Sequence, residues 1–163
     1  MTGSVRGSAD RRLEGTGMTI RQLTPNDAEA AARVHRASFD ERLPWLSGLH
    51  TPEEDRAFYT HVVFDQCEVW GSFEDDALIA VIALRENWIE QFYVLPQHQG
   101  RGIGSAVLAL AQARFPSLQL WTFQKNTAAR RFYEGRGFVA AEETDGSRNE
   151  EREPDIRYVW QRE

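Results

Sequence analysis

Three glycines in five positions, Gly100, Gly102 and Gly104 in the stretch QHQGRGIG at residues 97–104, form the spacing most suggestive of chemistry in this chain. Glycine loses more backbone freedom on folding than any other residue, so such a cluster needs a reason. The stretch follows an apolar run ending in YVLP and opens a segment where Ile103, Val107, Leu110 and Ala111 recur at helical spacing. Backbone N–H groups at a strand-to-helix turn point outward unpaired, and the helix dipole favours negative charge there, so the turn can bind an anion. Two familiar phosphate loops do not fit. A P-loop ends in Gly-Lys-Ser/Thr, and Gly104-Ser105-Ala106 supplies no lysine. A dinucleotide fingerprint beginning at Gly100 needs glycine where Ser105 stands, and an acid some twenty residues on that the sequence does not provide. A pyrophosphate cradle remains, with Gly102 and Gly104 admitting phosphate oxygens that a Cβ would hold away. A turn that merely permits tight packing is the alternative.

The elements that must position this turn alternate between strand and helix. Met18 to Leu23 reads as a strand. Thr24-Pro25-Asn26-Asp27 then supplies an N-cap, a proline at the first helical position and an early acid for a helix through about Ser38. The loop Asp40 to His50 precedes a second capping box, Thr51-Pro52-Glu53-Glu54, and a second helix. Glu68 to Phe73, Ala77 to Leu84 and Trp88 to Leu95 are strand-like runs separated by short polar turns, which predicts an antiparallel meander. The glycine turn and its helix follow, ended by Pro116. Leu118 to Phe123 is a strand, Thr127 to Glu134 a short helix, and strands begin at Gly137-Phe138 and at Ile156 to Trp160. The predicted order is βααβββαβαββ.

A chain of 163 residues with 41% hydrophobic and 27% charged residues fits one globular domain, expected over 18–163. Residues 1–17, MTGSVRGSADRRLEGTG, read as a disordered polar tail without the apolar core of an export signal. The longest apolar run, Ala77 to Leu84, is far too short to span a bilayer. A single cysteine, Cys67, excludes an internal disulfide and fits a reducing, cytoplasmic compartment; in its apolar stretch it reads as a structural thiol. The net charge of −6 argues against nucleic acid or an anionic membrane as partner. The charge is unevenly placed: from Gln91 to Tyr133 there is no Asp or Glu, while Arg101, Arg114, Lys125, Arg130 and Arg131 make that segment +5 and leave −11 elsewhere. Solvated helix faces also segregate charge, but an anion would be welcome in this segment.

Two stretches resemble the GCN5-related N-acetyltransferase (GNAT) superfamily. FYVLPQHQGRGIGSAVLALA is similar to its acetyl-CoA motif, a strand ending V-x-P followed by Gln-x-x-Gly-x-Gly, here Gln99, Gly102 and Gly104. NTAARRFYEGRGF is similar to its later N-x-x-A-x-x-x-Y segment closing in Gly-Phe, here Asn126, Ala129, Tyr133, Gly137 and Phe138. The resemblance implies a mixed α/β fold: a largely antiparallel twisted sheet with one splayed parallel strand pair, flanked by about four helices. It further implies that acetyl-CoA lays its pyrophosphate on the amides of Gly100, Arg101, Gly102, Ile103, Gly104 and Ser105, with the Arg101 side chain assisting. The pantetheine arm would pair with main chain around Phe92 and Val94, between the strands Trp88 to Leu95 and Leu118 to Phe123. Asn126 would hydrogen-bond the arm or cap the helix beginning at Thr127.

Tyr133 matches the family position whose phenol protonates the leaving sulfur; a core aromatic is its structural alternative. Glu90 is the candidate base. Strand alternation puts Trp88, Glu90, Phe92 and Val94 on one face, aiming that carboxylate near the acetyl group. His98 and His35 suit surface or packing roles better. No metal site is expected. The acceptor is expected to be an amine, selected by the loop Asp40 to His50 and by the acidic turn Glu142 to Asp155, which would attract a cation, with Trp45 and Trp88 adding an apolar or cation-π wall. A solvated acidic loop is the plainer reading of that turn. A non-catalytic acyl-CoA-binding module is the competing function, and many family members pair through strands, which favours a homodimer while the sequence leaves assembly open.

Overall fold

A computed structural model describes residues 11–13 and 18–163. Eight strands form one sheet in the order β1-β2-β3-β4-β5-β6-β8-β7. They are β1 (Arg11–Leu13), β2 (Met18–Gln22), β3 (Glu68–Glu74), β4 (Ala77–Arg85), β5 (Trp88–Val94), β6 (Ser117–Phe123), β7 (Val139–Glu143) and β8 (Asp155–Gln161). Every neighbouring pair is antiparallel except β5 and β6. The mixed sheet implied by the resemblance is therefore present. Arg11–Leu13, assigned above to the tail, pairs with β2, Arg11 opposite Ile20 and Leu13 opposite Met18. The rest of the expected tail lies outside the described residues.

Helices cover both faces. The apolar β4 run shows why: Ala80, Ile82 and Leu84 pack into one buried cluster with Ile103, Val107 and Leu108 of helix α4 (Ile103–Arg114), while Val81 and Ala83 pack on the other side with Ala31, Ala32 and Val34 of α1 (Ala28–Arg42). A strand covered on both faces loses the polar alternation of a half-exposed one. The second helix begins as α2 (Pro52–Phe58), behind the Thr51 and Glu54 capping box, passes through a π-helical turn at Tyr59–Val63 and ends as α3 (Phe64–Gln66). The π turn brings Tyr59 fully into the core beneath α1. Helix α5 (Thr127–Glu134) completes the α4 side. No helix of the described residues is long and apolar enough to cross a membrane.

The parallel pair opens as soon as it forms. Trp88 and Gln119 are the only paired residues, pinned by Gln119 N–H donating to the Asn87 carbonyl at 2.9 Å. Beyond that point β6 follows β8 over its whole length. A bulge in β5 helps to part the strands: Ala83 faces Gln91 and Leu84 faces Ile89, which leaves Glu90 as the extra residue.

Candidate active site

A cavity of about 430 Å³ occupies this opening and runs through the sheet from the α4/α5 side to the α1 side. On the α4/α5 side Gly100, Gly102, Gly104, Ser105, Asn126, Ala129, Tyr133 and Arg136 contribute to the lining. Gly100 and Gly102 adopt φ of +78° and +81°, conformations that cost an ordinary side chain free energy, and a Cβ on either would meet nothing within 4 Å. Backbone conformation and open space in front of the turn therefore account for these glycines, and packing does not. Gly104 differs, because its Cβ would come within 3.2 Å of Phe132 Cε2, so its smallness seats that ring. The first helical bond of α4 runs from Ala106 N–H to the Gly102 carbonyl, leaving the N–H groups of Ile103, Gly104 and Ser105 ahead of the ladder.

Main chain also faces the opening from β5. Leu95 N–H donates to the Ile79 carbonyl on β4, so alternation turns the N–H and C=O groups of Val94 and Phe92 the other way, into the splay. Gln99 Nε2 donates to the Val94 carbonyl at 2.9 Å, and Arg42 on the α1 side donates in turn to Gln99 Oε1. The two sides of the cavity are thus joined through one glutamine. Asn126 Oδ1 accepts the Ala129 N–H at 3.2 Å, which fulfils its capping role and leaves its Nδ2 without a partner among the described residues.

Tyr133 is 7% exposed, ringed by Phe92, Phe132 and Phe138, and its hydroxyl has no hydrogen-bond partner among the described residues. Burial pushes its pKa well above the ordinary phenol value, with the neighbouring Tyr93 as a lesser cause, so the group holds its proton across the physiological range. Glu90 is the one carboxylate among the lining residues. The bulge corrects the expected face: Ile89, not Glu90, joins Phe92 and Val94 in the α4-side cluster. Arg85 Nε and Nη2 both donate to Glu90 Oε1, at 3.0 and 2.6 Å, and Oε2 keeps no protein partner among the described residues.

The α1 side is aromatic: Phe39, Tyr93, Trp121 and Phe123 line it with Ser38, Arg42 and Leu43. His35 stacks on Tyr93 at 4.2 Å and its Nδ1 lies 2.9 Å from the Tyr59 hydroxyl. Burial among these rings depresses its pKa to about 4, with the Arg36 charge adding to the effect, so it is neutral at pH 7. The packing role expected for it agrees with that position.

Several expected participants stand elsewhere. Arg101 pairs with Glu74 at 3.1 Å and with His98 Nδ1 at 2.8 Å and does not line the cavity. The Ile103 side chain is 1% exposed in the core, so only its N–H faces the turn. Neither Trp45, Trp88 nor any residue of Glu142 to Asp155 lines the cavity. Much of that turn's charge is engaged locally: Glu153 accepts from Trp45 Nε1 at 2.6 Å and lies 3.7 Å from Lys125, Glu142 pairs with Arg157, and Glu150 with His50. Burial raises the Cys67 thiol, as a structural cysteine requires. Sequence reasoning missed Arg136 and the aromatic wall. Arg136 falls just past Glu134, where the acid-free segment ends, and the wall is assembled from α1, β5 and β6, which share no motif.

Residues 32–138 match the family model described as the acetyltransferase (GNAT) family. The chain belongs to the GNAT acetyltransferase family. Peptidyl-lysine N-acetyltransferase YiaC of Escherichia coli is 36% identical over 70 residues, covering 42% of this GNAT chain and 48% of the relative, so the match spans about half of that protein. Among solved structures, apo YjaB of Escherichia coli superposes with a TM-score of 0.71 at 18% identity, over 90% of this chain and 99% of that one. PaiA N-acetyltransferase of Thermoplasma acidophilum, solved in complex with coenzyme A, gives 0.67 at 22% identity, over 88% and 98%. At these identities the likeness speaks for the GNAT fold.

Proposed function

We propose that this protein is an acetyl-CoA-dependent N-acetyltransferase that moves the acetyl group directly to a primary amine on a cationic acceptor. The observation that carries the reading is the single cavity through the splayed strands, which joins an anion-binding turn on one side to an aromatic chamber on the other, with Tyr133 and Glu90 along its walls. The free amides of Ile103, Gly104 and Ser105 hold the diphosphate, and the outward groups of Val94 and Phe92 orient the pantetheine arm once Gln99 gives up the Val94 carbonyl. The Val94 N–H polarises the thioester carbonyl.

Acetyl-CoA supplies the activated acyl group. Glu90 Oε2 takes a proton from the ammonium, directly or through water, while Arg85 fixes the other oxygen. The amine nitrogen bonds to the carbonyl carbon, the C–S bond breaks, the Tyr133 hydroxyl gives its proton to the leaving thiolate, and the second proton shed by the acylated nitrogen returns Tyr133 to its phenol form. Aromatic faces and one carboxylate suit an ammonium-bearing acceptor, and the relative named as a peptidyl-lysine acetyltransferase makes a lysine side chain a candidate.

Thiol release from acetyl-CoA across a panel of amines, with products identified by mass spectrometry, tests this reading. Turnover on at least one cationic amine, lost in Tyr133→Phe, is the expected result. Tight coenzyme binding with no turnover on the panel would point instead to a non-catalytic acyl-CoA-binding module.

A further inference from the structure

The cavity holds a guanidinium that neither sequence motif predicts. Arg136 Nε donates to Ser105 Oγ at 3.1 Å, Nη2 donates to the same oxygen, and Nη1 donates to the Phe132 carbonyl at 2.9 Å. The guanidinium lies 3.8 Å above the Phe132 ring, and that ring rests on Gly104. The backbone is fixed as well. Gly137, at φ +87°, closes α5 in a Schellman motif, Gly137 N–H to the Glu134 carbonyl and Phe138 N–H to the Tyr133 carbonyl, with Arg136 immediately before it. Helix α5 thus ends so as to set a charged fork against the first turn of α4.

Three features mark this fork as a ligand group. It lines the cavity beside the open amides of the glycine turn. One N–H on each terminal nitrogen has no partner among the described residues, and no carboxylate is paired with it. Arg101, the other arginine beside the turn, is already neutralised by Glu74 outside the cavity. A planar guanidinium held by stacking loses little freedom when it binds, and its fork matches phosphate oxygens.

We propose that Arg136, preset by Phe132 and Ser105, is the side chain that binds the coenzyme's diphosphate together with the α4 amides. This inference rests on the acetyl-CoA reading above. It assigns recognition of the doubly charged group to a backbone turn and one distant arginine, brought together by the Gly104 and Phe132 contact.

Calorimetric titration of the full chain, and of Arg136→Gln, Arg136→Lys and Arg101→Gln, with coenzyme A, dephospho-coenzyme A and pantetheine tests it. Arg136→Gln is expected to weaken coenzyme A and dephospho-coenzyme A alike by about tenfold or more, the usual worth of a charge-assisted hydrogen bond, while pantetheine binding is unchanged. Arg136→Lys should recover part of the loss, and Arg101→Gln should match the unsubstituted protein. Unchanged coenzyme A binding in Arg136→Gln would overturn the proposal, as would an equal loss for pantetheine, which marks a packing defect, or a loss confined to coenzyme A, which marks the 3′-phosphate. Absence of heat with the unsubstituted protein would instead overturn the coenzyme reading itself.

Discussion

The two ends of the cavity are built on different physical principles. The α4/α5 end offers main-chain N–H groups at a turn whose two positive-φ glycines present open space, with the Arg136 side chain beside them, so its chemistry rests first on backbone shape. The α1 end offers side chains, Phe39, Tyr93, Trp121, Phe123 and Glu90, gathered from three separate segments. Backbone recognition demands special residues at fixed spacing, whereas a side-chain wall can be assembled in many ways. The contrast implies that one end is committed to a single ligand and the other is free to change its partner. Between them the Arg42, Gln99 and Val94 chain links the two ends.

That division can be broken or sharpened by substitution. The largest effect belongs to the junction: Tyr133→Phe should lower kcat by about a hundredfold or more through loss of the general acid, with the coenzyme Kd unchanged. A steady-state and binding comparison checks this. Next comes the backbone end, where Gly102→Val forces a β-branched residue into φ of +81° and should raise the KM for acetyl-CoA at least about tenfold, leaving acceptor KM nearly constant. If both constants moved together, the two ends would not be separate.

Glu90→Gln tests the acceptor end. It should reduce kcat about tenfold at neutral pH with no change in coenzyme binding, and an amine of lower pKa should restore part of the rate.

The subtlest prediction concerns pH. His35 stays neutral in the folded protein down to about pH 4, whereas in the unfolded chain it takes up a proton near pH 6.5. Between those values the unfolded state binds more protons, so stability falls as pH falls and is fully present above the upper one. The contribution is at most about 3 kcal/mol. Denaturant melts of the unsubstituted protein should weaken across that window more steeply than those of His35→Phe. Parallel slopes would show that the stack beneath Tyr93 does not carry this dependence.

The same contrast explains what could be read in the sequence. The glycine turn, the Asn126 cap and most of the strand and helix order were legible because each depends on local chemistry: positive φ, capping, or periodicity; Tyr133 was singled out by the family resemblance alone. The Glu90 face was misread because alternation fails at a bulge, and a bulge is set by the pairing of Ala83 and Leu84 on the neighbouring strand rather than by residues near Glu90. Arg101 attracted notice by proximity in sequence, yet the β3 to β4 turn brings Glu74 to claim it. Arg136 stands 31 residues from Ser105, and only the packing of α5 on α4 makes them neighbours. The acidic turn looked like an acceptor surface because its pairing with Trp45, Lys125, His50 and Arg157 depends on contacts distant in sequence.

A crystal structure of the complex with acetyl-CoA would show where the coenzyme sits. Diphosphate oxygens should lie within hydrogen-bonding distance of the Ile103, Gly104 and Ser105 amides, and the thioester sulfur about 3 Å from the Tyr133 hydroxyl within the splay. A coenzyme seated outside the splayed strands, or with its sulfur remote from Tyr133, would contradict this placement.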